Sequence, residues 1–275
     1  MNDISGLKGR VEDRSITIIA ARRVRRLLDW GDPEAQPIVL LHSLGLDHEL
    51  WRPVAARLRG RFRVIAPDIA GHGRERGDAL MTSIAAAADD IVAILNELGV
   101  ASATIVGLSM GGAVAQEFAL RHPSRTKGLG LIATMMKGAP VFAERAEKAE
   151  REGLAAQIDI TLERWFTPGQ IERDHEGVRY ARERLNTLDA RTWSAAWRSL
   201  SGHDTVDRLP SLSVPALCVA GELDPSTPPQ VVKAIADRIP NSRFEIVVGA
   251  PHLLGLTHSR EIETLLTQLA SSIVQ

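Results

Sequence analysis

The chain reads as an α/β protein built on a mostly parallel sheet. Three observations carry that reading. Short apolar runs alternate with helical patterns along most of the 275 residues. Some of these runs, such as Pro37 to His42 and Ala103 to Val106, are apolar almost without a break. Unbroken apolarity is the mark of a strand buried on both faces, which a sheet covered by helices on each side requires. The third observation is an interruption. From Gly138 to Arg208 the strand signals stop and the pattern becomes charged and helical.

Met1 to Arg14 is polar and charged and is expected to be a loose leader. Ser15 to Ala21 and Val24 to Trp30 are β-like runs parted by Arg22 and Arg23, read as antiparallel entry strands. Gly31-Asp32-Pro33-Glu34 is a turn. After the buried strand Pro37 to His42 comes a loop, Ser43 to His48, then an amphipathic helix from Trp51 to Leu58. Phe62 to Pro67 is the next strand, ending in Asp68 and the turn Gly71-His72-Gly73. Ile84, Ala87, Ile91, Ile94 and Leu95 recur at helical spacing, which predicts a helix over Ser83 to Leu98. Ala103 to Val106 is a strand, Ala113 to Leu120 a helix and Thr126 to Ile132 a strand.

The stretch 138–208 then intervenes, with helix candidates at Ala143 to Leu154 and Arg179 to Leu188. It also carries Trp165, Phe166, Tyr180, Trp193 and Trp197. We read it as a helical cap inserted between two strands, with residues 1–137 and 209–275 forming the core. The α/β rhythm resumes with a strand at Ala216 to Ala220, a helix at Gln230 to Ile239, a strand at Arg243 to Val248 and a closing helix from Glu261 to Ile273.

Composition excludes several functions. The net charge is −1, from 33 basic and 34 acidic residues, so nothing favours a nucleic acid or an anionic membrane as partner. The single cysteine, Cys218, lies in an apolar strand pattern and rules out an internal disulfide or a cysteine-based zinc site. No apolar run approaches the roughly 18 residues that span a bilayer, and Met1 to Arg14 lacks the apolar segment of a secretory signal. A cytoplasmic protein acting on a small molecule is the expectation. No His, Asp and Glu cluster has metal-ligand spacing and no glycine-rich loop resembles a phosphate cradle, so neither metal nor cofactor is expected.

The chemistry centres on Gly107-Leu108-Ser109-Met110-Gly111-Gly112. A strand precedes it and a helix follows, the context of a nucleophile elbow. A serine on so sharp a turn crowds its neighbours two residues away, where glycine has no Cβ to clash. A serine hydroxyl is a weak nucleophile and needs a base and a group to orient that base. His252 follows the last strand and Asp224 the strand before it. The order Ser109, Asp224, His252 is the one the elbow fold requires. His258 is a less suitable base because it opens a helix, and Glu222 precedes the Asp224-Pro225 turn. His72 reads as a turn residue and His122 as a helix cap. His48, His175 and His203 carry no partner signal and are assigned to the surface or the cap. The oxyanion donors are expected to be the Met110 N–H and the Leu44 N–H in the loop His42-Ser43-Leu44-Gly45. One such donor is worth about 2.7–4 kcal/mol of barrier.

The motifs Leu40 to Gly45, Asp68 to Gly73, Gly107 to Gly112, Gly221 to Asp224 and Gly249 to His252 together resemble the α/β-hydrolase superfamily. Within it the chain is most similar to the 3-oxoadipate enol-lactonases of bacterial aromatic degradation. The finer matches are Ser43-Leu44-Gly45 with Asp47 and Trp51, Arg164 to Pro168, and Gly221 to Pro229. Ala70 and the apolar run after His252 depart from the usual pattern. The resemblance implies an α/β-hydrolase fold: a mostly parallel eight-stranded sheet, helices on both faces and an inserted cap. It implies a carboxylic ester hydrolase that opens a lactone or ester through Ser109, His252 and Asp224. Ser43, Trp165, Trp193 and Trp197 are expected to touch substrate, and Arg164, Arg191 and Arg198 to face an acidic one. The same fold hosts C–C bond hydrolases, cofactor-free haloperoxidases and dioxygenases, and ligand receptors, so these stay open. Dehalogenase and epoxide hydrolase chemistry is disfavoured, because it needs a carboxylate at position 109.

Overall fold

The computed structural model describes residues 15–20, 23–73 and 80–273. The expected leader, and the Ala21 and Arg22 part of the first turn, lie outside the described residues. Eight strands form one sheet: β1 (Ser15–Ala20), β2 (Arg23–Trp30), β3 (Pro37–Leu41), β4 (Arg63–Pro67), β5 (Ala103–Leu108), β6 (Thr126–Ile132), β7 (Ala216–Gly221) and β8 (Ser242–Val247). Their spatial order is β1-β2-β4-β3-β5-β6-β7-β8. The entry strands β1 and β2 run antiparallel and the rest pair in parallel. The unbroken apolar runs explain the parallel part: every residue of β5 and of β7 is buried. Cys218 sits in β7, where burial pushes its thiol up to about 12.

The helices of the first half are α1 (Arg52–Leu58), α2 (Ile84–Glu97) and α3 (Met110–Arg121). The helix expected from Trp51 begins instead with a 3-10 turn, His48–Trp51, because the Asp47 side chain accepts from Glu49 N–H and starts the coil early. Ser83 caps α2 by accepting from Ala86 N–H. The stretch after β6 holds α4 (Pro140–Glu152), α5 (Ile158–Trp165), α6 (Pro168–Glu172), α7 (Glu176–Thr187) and α8 (Ala190–Ser201). Its two ends meet: Thr205 N–H donates to Met136 O at 2.8 Å and Gly138 N–H to His203 O at 2.7 Å. After β7 come α9 (Pro229–Ala236), α10 (Leu254–Thr257) and α11 (Ser259–Ser272). Among the described residues, no helix is long and apolar enough to cross a membrane.

Sheet order positions the site. The chain moves from β3 to its neighbour β4, then returns to lay β5 on the other side of β3. The loops after β3 and β5 therefore part at a crevice above their carboxyl ends, where open α/β sheets bind ligands.

His48 departs from expectation. It is buried, not on the surface. Its Nδ1 lies 2.7 Å from Asp68 Oδ1 and its Nε2 lies 2.9 Å from Ser15 Oγ. Burial favours the neutral ring, but hydrogen bonds with Asp68 and Glu49 and the nearby carboxylate charges outweigh it and raise the His48 pKa to about 9. A pKa raised on folding adds stability that is full below the ordinary value of 6.5 and lost as pH climbs through about 9. The wild-type melting temperature is therefore expected to exceed that of His48→Gln at pH 6, by a gap worth up to about 3 kcal/mol. That gap should narrow toward pH 10. Thermal melts across this range check it, and a gap independent of pH would refute the ion pair.

Candidate active site

Ser109 stands between the end of β5 and the start of α3, with φ 55° and ψ −115°. A non-glycine residue with positive φ costs on the order of 1–3 kcal/mol and persists only where its surroundings fix it. Here Ser109 N–H donates to Ile132 O at 2.9 Å, and Thr134 Oγ1 donates to Ser109 O at 2.7 Å. The glycines behave as the motif demands. A Cβ on Gly107 would stand 2.0 Å from Gly111 O, and one on Gly111 would stand 2.1 Å from Leu41 O. A Cβ on Gly112 would meet the Thr134 side chain at 2.5 Å, so this glycine admits the residue that holds the serine carbonyl.

His252 and Asp224 come from the loops after β8 and β7 and are both buried. His252 Nδ1 lies 2.8 Å from Asp224 Oδ2. A carboxylate only accepts, so Nδ1 carries the proton and Nε2 is the free base. Asp224 is held in turn: Ser226 N–H and Thr227 N–H donate to Oδ1 at 2.8 and 3.2 Å, and Thr227 Oγ1 donates to Oδ2 at 2.6 Å. Burial alone would raise its pKa. The His252 charge and the hydrogen bonds from His252 and Thr227 overcome that, and the net direction is downward. Glu222 is exposed and accepts from Gly249 N–H at 2.7 Å, a tie between two loops away from the imidazole. His258 sits at the N-terminus of α11. Ser109 and His252 line one cavity without a hydrogen bond between them. Such contacts tighten once substrate is seated.

The loop after β3 is set by a residue that sequence reasoning passed over. His42 is fully buried, and its Nε2 accepts from Ile69 N–H at 2.9 Å. Its Nδ1 therefore carries the proton and donates to Ser43 O at 2.8 Å. Burial lowers the His42 pKa to about 4, so the ring stays neutral and keeps this tautomer. In a planar trans peptide the C=O and the next N–H point in opposite directions. Anchoring Ser43 O on His42 thus fixes the direction of the Leu44 N–H. Among the described residues neither the Leu44 N–H nor the Met110 N–H finds an acceptor. Both are available to a developing oxyanion.

The cavity measures about 30 Å³, room for one or two waters. Of the residues expected to touch substrate, Ser43, Arg164, Trp165 and Trp197 line it. Trp193 does not: it is fully buried against Gly45, edge-on to Trp197 with ring centres 5.8 Å apart. Its place in the helical pattern could not tell wall from filler. Arg191 and Arg198 also lie outside the lining; they are exposed and paired with Asp189 and Glu150. Arg145 and Phe142 of α4, Leu200 of α8, Met135, Ser226 and Thr227 also line it, and none of these was expected. Among the described residues no group of His, Cys, Asp and Glu could hold a metal ion.

Residues 36–259 match the family described as alpha/beta hydrolase fold, and the chain belongs to that family. It is 29% identical over 252 residues to 3-oxoadipate enol-lactonase 1 of Acinetobacter baylyi, covering 88% of this chain and 91% of that protein. The enol-lactonase from Burkholderia xenovorans LB400 superposes with a TM-score of 0.88 at 26% identity, over 93% of this chain and 100% of that one. A thermophilic esterase from Thermogutta terrifontis, in a malate-bound structure, superposes with a TM-score of 0.86 at 27% identity, over 94% and 99%. These relatives are lactonases and esterases, and the chain stands with them as a carboxylic ester hydrolase.

Gly107→Ala drives its Cβ into a backbone oxygen, and the expected loss is about 3 kcal/mol of unfolding free energy or more. Gly60→Ala, with nothing within 4 Å and no unusual φ, should lose less than about 1 kcal/mol. Urea unfolding of the two variants makes the comparison. Equal losses would contradict the packing at the turn.

Proposed function

We propose that the chain is a serine hydrolase of lactones and small esters that works through an acyl-enzyme. One observation carries the reading: a strained serine and a histidine already oriented by a buried carboxylate open onto the same small cavity. Ser109 Oγ attacks the acyl carbon as His252 Nε2 takes its proton. Asp224 keeps Nδ1 protonated and stabilises the imidazolium that forms. The Leu44 and Met110 N–H groups receive the oxyanion. When the tetrahedral intermediate collapses, His252 protonates the departing oxygen. Water then enters, gives a proton to His252 and attacks the acyl carbon, which frees the acid and restores Ser109.

The resemblance to enol-lactonases supports a finer substrate, an enol-lactone such as that of 3-oxoadipate. Such a ring opens readily because the departing enolate becomes a ketone. Residues 138–208 act as the cap in this reading, roofing the cavity of the core, 1–137 and 209–275. Carboxylate chemistry also accords with the malate bound by the Thermogutta terrifontis esterase.

Ser109→Ala is expected to lower kcat on 4-nitrophenyl acetate by roughly 10⁶, the usual scale for loss of a triad serine. Asp224→Asn should lower it by roughly 10⁴, because the imidazole then favours the wrong tautomer. Rapid mixing should show a burst of nitrophenol in the wild type and none in Ser109→Ala. Retention of a tenth of wild-type kcat by Ser109→Ala would refute the mechanism.

A further inference from the structure

Helix α7 brings two side chains, Tyr180 and Arg184, to one residue of the core, the buried Asp47. They stand four apart, on one face of the helix. Arg179 and Arg182, elsewhere on α7, pair instead with Asp174 and Asp159 inside the helical stretch. The Tyr180 hydroxyl donates to Asp47 Oδ1 at 2.6 Å and accepts from Asp47 N–H at 3.2 Å. One group thus holds both the carboxylate and the backbone of the same residue. Burial, and then the charge of Asp47, hold the phenol well above its usual pKa of 10, so it keeps the proton it donates. Arg184 Nη1 reaches Asp47 Oδ2 at 3.2 Å, and Glu49 N–H donates to Oδ1 at 3.1 Å. With both oxygens and the N–H engaged, Asp47 has one rotamer and one peptide orientation.

That orientation passes along the chain to the oxyanion donor. Leu46 N–H donates to Ser43 O at 3.3 Å and closes residues 43–46 into a turn. Gly45, inside the turn, has φ +78°, and Leu185 of α7 and Trp193 of α8 leave no room for a Cβ there. His42 fixes the start of the turn through Ser43 O, and Asp47 fixes its end. The Leu44 N–H lies between these anchors. A misplacement of about 1 Å in such a donor can cost on the order of 10²-fold in rate.

We propose that Tyr180, Arg184 and Asp47 are positioning residues of the reaction, through which the helical stretch sets the Leu44 N–H for the oxyanion. The kinetic readout rests on the serine-hydrolase reading; the amide-exchange readout does not.

Tyr180→Phe removes one hydroxyl and keeps the ring. It should lower kcat on 4-nitrophenyl acetate at least tenfold with KM changed less than twofold, the pattern of an interaction made only in the transition state. Arg184→Met should act in the same direction, and it carries both readouts should Tyr180→Phe fail to fold. Arg184→Lys, which keeps a cation for Asp47, should recover at least threefold of the kcat lost in Arg184→Met. Arg182→Gln, exposed and on the same helix, should leave kcat as it is. Hydrogen exchange supplies the independent arm. The Leu46 and Asp47 amides, both bonded in the closed turn, should exchange at least tenfold faster in Tyr180→Phe, while those of β5 keep the wild-type rate. If the wild type hydrolyses no ester, the hydrolase reading falls and exchange still decides whether α7 holds the loop. A lower melting temperature with kcat intact would make the contact structural only and overturn the proposal. Unchanged exchange at Leu46 and Asp47, or a loss confined to KM, would overturn it as well.

Discussion

The backbone at Ser109 is the constraint on which the rest depends. A strand must become a helix within one residue, and that residue carries a side chain with positive φ. The turn closes only because three backbone segments come within van der Waals distance where glycines stand. Gly107 faces Gly111 O, and Gly111 faces Leu41 O, so the elbow is wedged against the end of β3. The same contact brings the loop that starts at His42 beside the serine. Elbow and oxyanion loop are therefore one packing unit, and neither geometry exists without the other.

The electrostatics follow from burial. Asp224 is almost fully enclosed, where an unpaired carboxylate would be costly. It keeps its charge because two backbone N–H groups, the Thr227 hydroxyl and the His252 ring all donate to it. The loop after β7 is thereby folded around its own acid. Orientation of the imidazole is a by-product of solving that burial problem. His42 shows the opposite solution in the same core: its ring bonds only backbone groups, burial lowers its pKa, and a neutral ring with one donor and one acceptor becomes a fixed spacer.

The sequence was informative wherever backbone sterics or strand order dictate residue type. The elbow glycines, the two antiparallel entry strands, and Asp224 and His252 after successive strands are all of this kind. It was silent where a side chain's role depends on which distant element it meets. Nothing local marks His48 as the partner of Asp68, twenty residues away, or His42 as the anchor of its neighbour's carbonyl. In the helical stretch, Trp193 and Trp197 lie four apart on one helix, yet one fills the core and the other lines the cavity. Arg145 was lost among charged residues whose spacing signals only an exposed face, and Phe142 went unremarked three residues before it.

The helical stretch does more than cover the sheet. Its Trp193 and Leu185 pack on Gly45, where φ is +78° and a Cβ would stand 2.9 Å from each side chain. Its Tyr180 donates to Asp47 Oδ1 at 2.6 Å, and Arg184 reaches Asp47 Oδ2 at 3.2 Å. The loop carrying Leu44 is thus clamped from below by His42 and from above by α7 and α8. These clamping residues stand on α7 and α8. The serine, the acid and the base all stand at the ends of strands of the sheet, outside these helices.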